Sequence, residues 1–177
     1  MITVNIIGGL GNQMFQYAFG YAISKENSIK IKLDISSFDA YDLRDYELGL
    51  FNIEENSELE PVYGFLLNQL NGKNNTPLMK ISRKALRGLL KFTKFYYQEK
   101  KEFAFDKDVF SVKIDTYFHG YWQNEKYFKK YRKELLEIFK FKNIHSQTKE
   151  YHQKILKYES VSLHIRRGDY VNSIHDT

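Results

Sequence analysis

The first 35 residues contain the pattern that most restricts the fold. Residues 2–7 are β-branched and apolar and predict a buried strand. Apolar side chains then fall on nearly every face of residues 13–25, which predicts a helix buried on more than one side. Residues 29–35 alternate between apolar and polar and predict a second strand. Because strand, helix and strand follow one another at this length, we expect a βαβ unit with parallel pairing and an α/β fold.

The composition supports a packed domain and excludes several chemistries. Hydrophobic residues make up 42% of the 177 positions, with 14 Tyr and 14 Phe, so disorder is not expected. The chain has no Cys, which excludes disulfide scaffolds, thiol catalysis and cysteine-ligated metal sites. A net charge of +5 favours anionic partners such as nucleotides, anionic lipid surfaces or nucleic acid.

A long helix is predicted in the middle of the chain. Thr76-Pro77 is typical of an N-cap followed by proline in the first turn, and the helix should run to about Phe95. Its basic residues recur at spacings of four, three, four and three, which puts them in one stripe. The stripe contains Lys80, Lys84, Arg87, Lys91 and Lys94, and the opposite side carries Ile81, Ala85, Leu89, Leu90 and Phe92. The stripe is either an ordinary solvated face or a surface for anionic lipid or an anionic acceptor.

The cellular location is also an expectation from sequence. The N-terminus has neither the basic n-region nor the long apolar h-region of a signal peptide. No apolar run approaches the length of a membrane span. We therefore expect a soluble cytoplasmic protein. Peripheral contact with the inner face of the membrane is expected only if the basic stripe is a lipid-binding surface and not a solvated face.

The remaining elements are less regular. Residues 36–76 predict loops and short elements, and residues 117–123 predict an aromatic strand. Asn124 can cap a helix over 125–139, and a last amphipathic helix is expected over 147–158. Within the aromatic strand, Tyr121 and Trp122 have two interpretations, stacking on a sugar ring or base, or a place in the core.

An arginine pair follows a predicted strand near residue 166. Residues 161–165 alternate, and Arg166, Arg167 and Gly168 come directly after them. Guanidinium groups match phosphate oxygens bidentately, and open α/β sheets bind ligands beyond the carboxyl ends of their strands. The pair therefore indicates either a phosphate site or two solvated arginines at a strand end.

The glycine-rich turn at residues 8–13 is compatible with more than one ligand. A dinucleotide fingerprint has partial support, because a strand precedes it, a helix follows, and Asp34 lies 23 residues beyond Gly11. The fingerprint fails at its third glycine, where Met14 stands, and no Walker A Gly-Lys-Ser/Thr follows. Backbone N–H groups at a helix N-terminus, with the amides of Asn12 and Gln13, still favour an anionic or polar ligand. The sequence contains no HExxH or comparable metal spacing.

Three motifs taken together resemble one enzyme family. They are GGLGNQMFQYAFG at 8–20, GYWQNEKYF at 120–128 and HIRRGDYV at 164–171. In this order they are similar to the bacterial α-1,2-fucosyltransferases, family 11 of the glycosyltransferases. The resemblance implies a GT-B fold of two Rossmann-like domains, GDP-β-L-fucose as donor, and a galactose-containing oligosaccharide or lipid-linked glycan as acceptor. It also implies inversion at the sugar without a metal or other cofactor.

The resemblance assigns roles to individual positions. The HxRRxD motif of the family is present in full, and its first arginine, Arg166, is implied to hold the β-phosphate of the donor. Asp169 would orient an arginine, and either His164 or Asp169 would accept the proton of the acceptor hydroxyl. The implied catalytic residues are Arg166, His164 and Asp169, and the implied donor-binding residues are Arg166, Arg167, Gly168, Gly9, Gly11, Asn12 and Gln13.

The same resemblance predicts an incomplete second domain. Residues 1–158 correspond to an acceptor-side Rossmann-like domain, and residues 159–177 to the first strand and arginine turn of a truncated donor-binding domain. Two alternatives stay open from the residues alone. One is an NAD-dependent oxidoreductase built on the first βαβ unit and Asp34, and the other is a non-catalytic module whose basic stripe binds lipid or nucleic acid.

Overall fold

The protein contains one parallel sheet of four strands. The computed structural model describes residues 1–38, 44–53, 76–91, 95–112 and 115–163, to which the structural statements refer. The strands are β1 (Ile2–Asn5), β2 (Ile31–Asp34), β3 (Tyr96–Gln98) and β4 (Tyr117–His119), in the order β2-β1-β4-β3. All three pairings are parallel, so the predicted α/β class and the parallel βαβ unit are confirmed.

The structure describes four α-helices. They are α1 (Leu10–Asn27), α2 (Pro77–Lys91), α3 (Arg132–Ile138) and α4 (Ser146–Leu156). Short 3₁₀ turns occur at Leu48–Leu50, Lys107–Ser111, Glu125–Tyr127 and Lys129–Tyr131. Among the described residues, no helix has the length and apolar content needed to cross a bilayer.

Helix α1 supplies one wall of the main core. Phe19 has no exposed surface and stacks on Trp122 with ring centroids 4.1 Å apart. The same ring meets Phe118 and Tyr127 edge-on. Trp122 is fully buried and belongs to the core. Of the two interpretations from sequence, a place in the core is therefore the correct one for Trp122.

The structure changes two helix boundaries. Helix α1 begins at Leu10, three residues before the expected start, because Gly9 adopts an extended conformation and takes the N-cap position. The helix predicted over 125–139 is wrong as a single element. Asn124 does cap a turn by accepting from the N–H of Lys126, but Phe128 is not helical (φ −129°, ψ 8°) and separates two 3₁₀ turns. Only Arg132–Ile138 is α-helical in this stretch.

Helix α2 lies beside the edge strand β3. Leu86 packs against the rings of Tyr96 and Tyr117 in a small separate core cluster. By contrast, Leu78 and Ile81 on the apolar side are 78% and 67% exposed, and Leu89 is also 67% exposed. Lys84 is exposed, whereas the side chains of Lys80, Arg87, Leu90 and Lys91 and residues 92–94 lie outside the described part.

Contacts divide the chain into two compact units, Met1–Lys142 and Asn143–Thr177. Helix α4 belongs to the second unit, and none of its residues is buried. The strand predicted from Val161 is wrong for residues 161–163, which are irregular, with Val161 97% exposed. A strand needs a hydrogen-bonded neighbour, and none is described for these residues. The domain border predicted after residue 158 stays a prediction.

Candidate active site

The strand order defines where a ligand is expected. From β1 the chain passes to β2 on one side, while β3 and β4 lie on the other side of β1. The chain therefore crosses from one side of β1 to the other between β2 and β3, and β1 and β4 are the neighbouring strands at this reversal. Open α/β sheets bind ligands at such a switch point, outside the carboxyl ends of the strands. The residues after β1 and β4 are accordingly the candidate site.

The glycine-rich turn forms one side of this crevice. Gly8 has φ +78°, and a Cβ there would lie 2.6 Å from Nδ2 of Asn12, so only glycine fits. Gly9 caps α1 without a side-chain hydrogen bond, and no acidic residue occupies the first turn. The N–H groups and positive dipole end of a helix of 18 residues therefore face the crevice.

Two amides join this turn to the segment that follows β4. Gln123 donates from Nε2 to Oδ1 of Asn12 at 2.7 Å. The fully buried Gln16 accepts from the N–H of Ile7 at 2.9 Å and donates to the carbonyl of Gly120 at 3.2 Å. Both sides of the switch point are thus fixed to each other through α1.

Gln13 is fully buried below the turn. Its Nε2 donates to the carbonyls of Gly8 and Asp45, both at 2.9 Å, and its Oε1 accepts from the N–H of Glu47 at 2.9 Å. These bonds hold residues 45–47 beneath the turn, which is a supporting role. Its predicted contact with a donor stays a prediction.

Arg44 is a cation near the turn that the sequence did not predict, and it precedes Asp45, whose carbonyl accepts from Gln13. A Cβ on Gly9 would lie 3.6 Å from Nε of Arg44, so this guanidinium lies beside the N-terminus of α1. Nothing in the local sequence marks Arg44, because its position depends on Gln13, 31 residues earlier. A guanidinium next to a helix N-terminus favours an anionic group such as a phosphate.

Asp34, on which the dinucleotide alternative depends, is unsuited to that role. Its side chain has no exposed surface. Oδ2 accepts from the hydroxyl of Tyr117 at 2.6 Å, and Oδ1 accepts from the N–H of Ser36 at 3.0 Å. A carboxylate that is buried and engaged in this way cannot reach a ribose, so the structure does not support an NAD site at Asp34.

The other predicted residues fall into two groups. Gly9, Gly11 and Asn12 lie together in the first turn of α1 and its cap. His164, Arg166, Arg167, Gly168 and Asp169 lie outside the described residues, so their roles stay predictions. Within the described ranges, no three His, Asp or Glu side chains are grouped so that they could hold a metal ion.

A comparison with protein families identifies the family of this chain. The model of "Glycosyl transferase family 11" matches residues 1–177. The chain belongs to glycosyl transferase family 11. This confirms the resemblance that the three motifs indicated, and it makes glycosyl transfer the chemistry of the family.

Two relatives of this family 11 chain are both from Escherichia coli. One is an "Alpha-1,2-colitosyltransferase", 35% identical over 98% of this chain and 57% of the relative. Another is the "O-antigen biosynthesis glycosyltransferase WbnK", 30% identical over 95% of this chain and 59% of the relative. The chain thus spans less than two thirds of the length of either. No solved structure matches it.

Proposed function

We propose that this chain contributes the glycine-rich side of the active site in an inverting transfer of L-fucose from GDP-β-L-fucose to the 2-hydroxyl of a galactoside. The observation that carries the proposal is the N-terminus of α1 at the switch point of the sheet, with Arg44 beside it. This arrangement suits the diphosphate of a nucleotide sugar. The family and the α-1,2 linkage in the name of one relative support the choice of reaction.

The chemistry of the transfer explains the need for cations. The acceptor oxygen forms a bond to C1 of fucose while the bond from C1 to the β-phosphate oxygen breaks, and GDP leaves with the electron pair. Negative charge therefore builds on the β-phosphate, and fixed N–H groups and guanidinium groups stabilise the transition state more than the ground state. In the proposal, Arg166 holds the β-phosphate, with Arg167 and Gly168 beside it, and no metal is required.

The acceptor hydroxyl loses its proton as it attacks. In the same proposal, His164 or Asp169 accepts this proton. The proposal also includes a GT-B architecture, with a second Rossmann-like domain that begins near residue 159. The acceptor is a galactose-containing oligosaccharide or a lipid-linked glycan of the cell surface.

The reaction is tested by release of GDP. The complete gene product is incubated with GDP-fucose and a panel of β-galactosides in the presence of EDTA, because this chain by itself is expected to have impaired activity, and the linkage of the product is determined by NMR. We expect EDTA-resistant release and an α-1,2 product. A parallel series with a colitosyl donor separates fucosyl from colitosyl transfer, the activity named for one relative. If no galactoside leads to release from either donor, the proposal fails.

Two substitutions test whether Arg166 and Arg44 act at the proposed donor site. Arg166→Ala and Arg44→Gln each remove one positive charge from the proposed donor site, and we expect losses of about 10²–10³ in kcat for Arg166→Ala and smaller losses for Arg44→Gln. Lys133→Gln removes one charge from the exposed side of α3 and should leave kcat unchanged. Equal effects of all three substitutions would contradict a local role of the arginines.

A second proposal concerns α2, which we propose contacts an anionic membrane surface on the cytoplasmic side. Leu78, Ile81 and Leu89 of this helix are exposed, although the sequence pattern is that of a buried face. The segment is also one-sided in charge, since residues 61–98 contain seven Lys or Arg and no Asp or Glu. An exposed apolar strip next to a basic stripe is the pattern of an interfacial helix.

Vesicle flotation tests this contact. The protein should float with vesicles that contain anionic phosphatidylglycerol and remain in the lower fractions with neutral phosphatidylcholine, because each basic residue near an anionic surface contributes about 1 kcal/mol. Leu78→Ser with Leu89→Ser should abolish flotation. Leu136→Ser, at a position 54% exposed on α3, is the control that should float normally. Equal flotation with both vesicle types would refute the proposal.

A further inference from the structure

A cavity at the carboxyl end of β3 has no role in the functions proposed above. It has a volume of about 470 Å³ and opens beside the loop that follows the strand. We call it the Glu99 pocket. Its lining consists of Glu99, Lys100, Lys101, Ala104, Phe105, Asp106, Lys107, Asp108 and Tyr127.

Most polar groups of the Glu99 pocket already have partners. Lys100 pairs with Asp106 at 2.9 Å and with Asp108 at 3.0 Å. The hydroxyl of Tyr97, just behind the wall, donates to Asp106 at 2.7 Å, and burial together with this carboxylate raises the pKa of Tyr97 to about 12. Tyr127 donates to the carbonyl of Ala104 at 3.0 Å. The wall is therefore fixed, and its positive charge is balanced by carboxylates.

One oxygen of Glu99 is buried without a partner in the described ranges. Its Oε2 accepts from the N–H of Tyr121 at 2.7 Å. Its Oε1 is buried and has no hydrogen-bond partner in the part of the chain that the structure describes. An ionised carboxylate oxygen has room for further donors, and leaving it unpaired is unfavourable. Oε1 thus lacks a donor among these residues, and a hydroxyl bound in the pocket would supply one after a small rotation of the Glu99 side chain.

A second unsatisfied group lies close to the first. Nε1 of Trp122 is buried and has no partner among the described residues. A Cβ on Gly120 would lie 2.8 Å from Oε2 of Glu99 and 3.1 Å from Cε2 of Trp122. The carboxylate and the edge of the indole therefore lie against the same glycine, which puts an unpaired acceptor and an unpaired donor in one neighbourhood.

The backbone around the pocket is held in unfavourable conformations. Phe103 has φ 61° and Trp122 has φ 56°, values that bulky side chains rarely adopt. Asn124 stabilises the first of these by donating from Nδ2 to the carbonyl of Phe103 at 2.8 Å. Such conformations cost about 1–3 kcal/mol each and are concentrated at ligand sites. They leave the rings of Phe103 and Phe105 64% and 41% exposed beside the pocket.

We infer that the Glu99 pocket binds a neutral sugar ring of the glycan acceptor, with Glu99 accepting a hydrogen bond from a sugar hydroxyl. A polar acceptor next to exposed aromatic rings suits a ligand that has both hydroxyl groups and apolar C–H faces. The unpaired carboxylate oxygen disfavours anions, and the three lysines of the lining are balanced by three carboxylates, so the pocket has no net charge that would select an anion. This inference rests on the proposed glycosyl transfer and specifies which part of the sheet edge holds the acceptor.

The position of the pocket agrees with that role. Strand β3 is separated from β1 by β4 alone, and neighbouring strands lie about 4.8 Å apart. The Glu99 pocket is therefore about 10 Å from the strand that leads into the glycine-rich turn. A sugar in the pocket lies next to the crevice where the donor diphosphate is proposed, as a transfer between two bound substrates requires.

The test uses a natural reporter, because Trp122 is the only tryptophan in the chain. The protein is labelled with ¹⁵N and titrated with methyl β-galactoside, and the single indole N–H signal is followed. We expect a saturable shift. Glu99→Gln should weaken the apparent affinity at least about tenfold, as expected for a hydrogen bond to a charged group. Glu102→Gln, an exposed carboxylate in the same loop outside the pocket, should bind like the parent protein.

The outcomes separate this inference from the proposed function. GDP is titrated independently and followed through the amide signals of Gly8 and Gly9. If GDP binds and the galactoside leaves the indole signal unchanged, the inference is wrong while the donor assignment stands. A galactoside response that Glu99→Gln does not weaken also overturns it, provided that the circular dichroism spectrum of the variant is native. If the galactoside binds through Glu99 and GDP does not bind, the pocket assignment stands and the donor assignment fails.

Discussion

Helices α1 and α2 both pack against the sheet, yet they are buried to very different extents. Eight residues of α1 are buried, and Gly20 brings the helix so close that a Cβ would lie 2.7 Å from Cγ2 of Val4. Helix α2 contacts an edge strand and packs on it through Leu86, while Leu78 and Leu89 are exposed. The difference follows from position, since α1 lies over the central strand and α2 over an edge strand.

This comparison also shows what an amphipathic pattern can mean. In α1 the apolar residues occupy nearly every face because the helix is surrounded by sheet, turns and aromatic rings. In α2 they are sharply separated from the basic residues, although much of the apolar side meets solvent. A sharp separation of faces therefore does not by itself indicate attachment to the core, and the helix with the weaker pattern is the better packed one.

The largest expected difference between the helices concerns a large apolar side chain. Phe19→Ala in α1 should lower the free energy of unfolding by about 3–5 kcal/mol, because it removes a fully buried ring and leaves a cavity. Leu89→Ala in α2 should change it by less than about 0.5 kcal/mol, because that side chain is largely exposed. Urea unfolding measures both values. Similar losses for the two variants would show that α2 is packed as firmly as α1.

A buried amide gives the next largest effect. Gln16→Leu should lower the free energy of unfolding by about 1–3 kcal/mol, since the N–H of Ile7 and the carbonyl of Gly120 lose their partner. Gln147→Leu on the exposed helix α4 should leave stability within about 0.5 kcal/mol. The same urea experiment applies, and a neutral Gln16→Leu would mean that water replaces the amide.

Glycine to alanine substitutions should have opposite signs in the two helices. Gly20→Ala in α1 places a Cβ 2.4 Å from Cδ1 of Ile31. Overpacking costs about 1–3 kcal/mol, and the gain in helix propensity of about 1 kcal/mol offsets only part of it. Gly88→Ala in α2 meets no atom within 4 Å, so it should stabilise the protein by up to about 1 kcal/mol. Thermal unfolding distinguishes the signs, and stabilisation by both would contradict the close approach of α1 to the sheet.

The smallest expected difference between the two helices is in their contribution to the loss of stability at acid pH. Hydrogen bonds from Lys130 and Tyr131 lower the pKa of Glu26, at the end of α1, below its ordinary value of 4.5. A lowered pKa in the folded state adds stability above pH 4.5, and this contribution is lost as the pH falls through the folded pKa. Glu26→Gln should therefore reduce the loss of stability between about pH 5 and pH 3. Helix α2 contains no carboxylate and should contribute nothing to this dependence.

Urea unfolding at several pH values checks this prediction. Glu102→Gln, an exposed carboxylate outside α1, serves as the control. If Glu26→Gln has the same pH dependence as the parent protein, the ion pair with Lys130 does not contribute in solution.

The sequence predicted elements that depend on local periodicity. Strands β1 and β2, helix α1 and the start of α2 at Pro77 follow from patterns within a few turns or alternations. The helix expected over 125–139 failed because Tyr127 is held by remote partners, donating to Ala104 and accepting from the N–H of Asp106. These bonds favour a bend at Phe128 that no local propensity encodes.

The candidate site, like the fold, was predictable only where its residues are close together in sequence. The glycine-rich turn was found because its residues are consecutive. Arg44 and Glu99 were missed because each reaches its place through residues distant in sequence, Arg44 through Gln13 and Glu99 through the backbone of Tyr121. A site at the carboxyl edge of a sheet contains residues from several connections between strands. No short stretch of the sequence shows which of these residues meet in the folded protein.

The strand order also determines the sequence of events while the chain is being made. Strand β1 pairs with β2 some 30 positions later, but on its other side Thr3 pairs with Tyr117, 114 positions later. At about 5–20 residues per second, the ribosome needs roughly 4–17 s to make the chain between Asp34 and Tyr117. During that interval one edge of the central strand has no neighbour and can pair with another chain. The yield of soluble protein therefore depends on the rate and temperature of synthesis, independently of the stability of the finished fold.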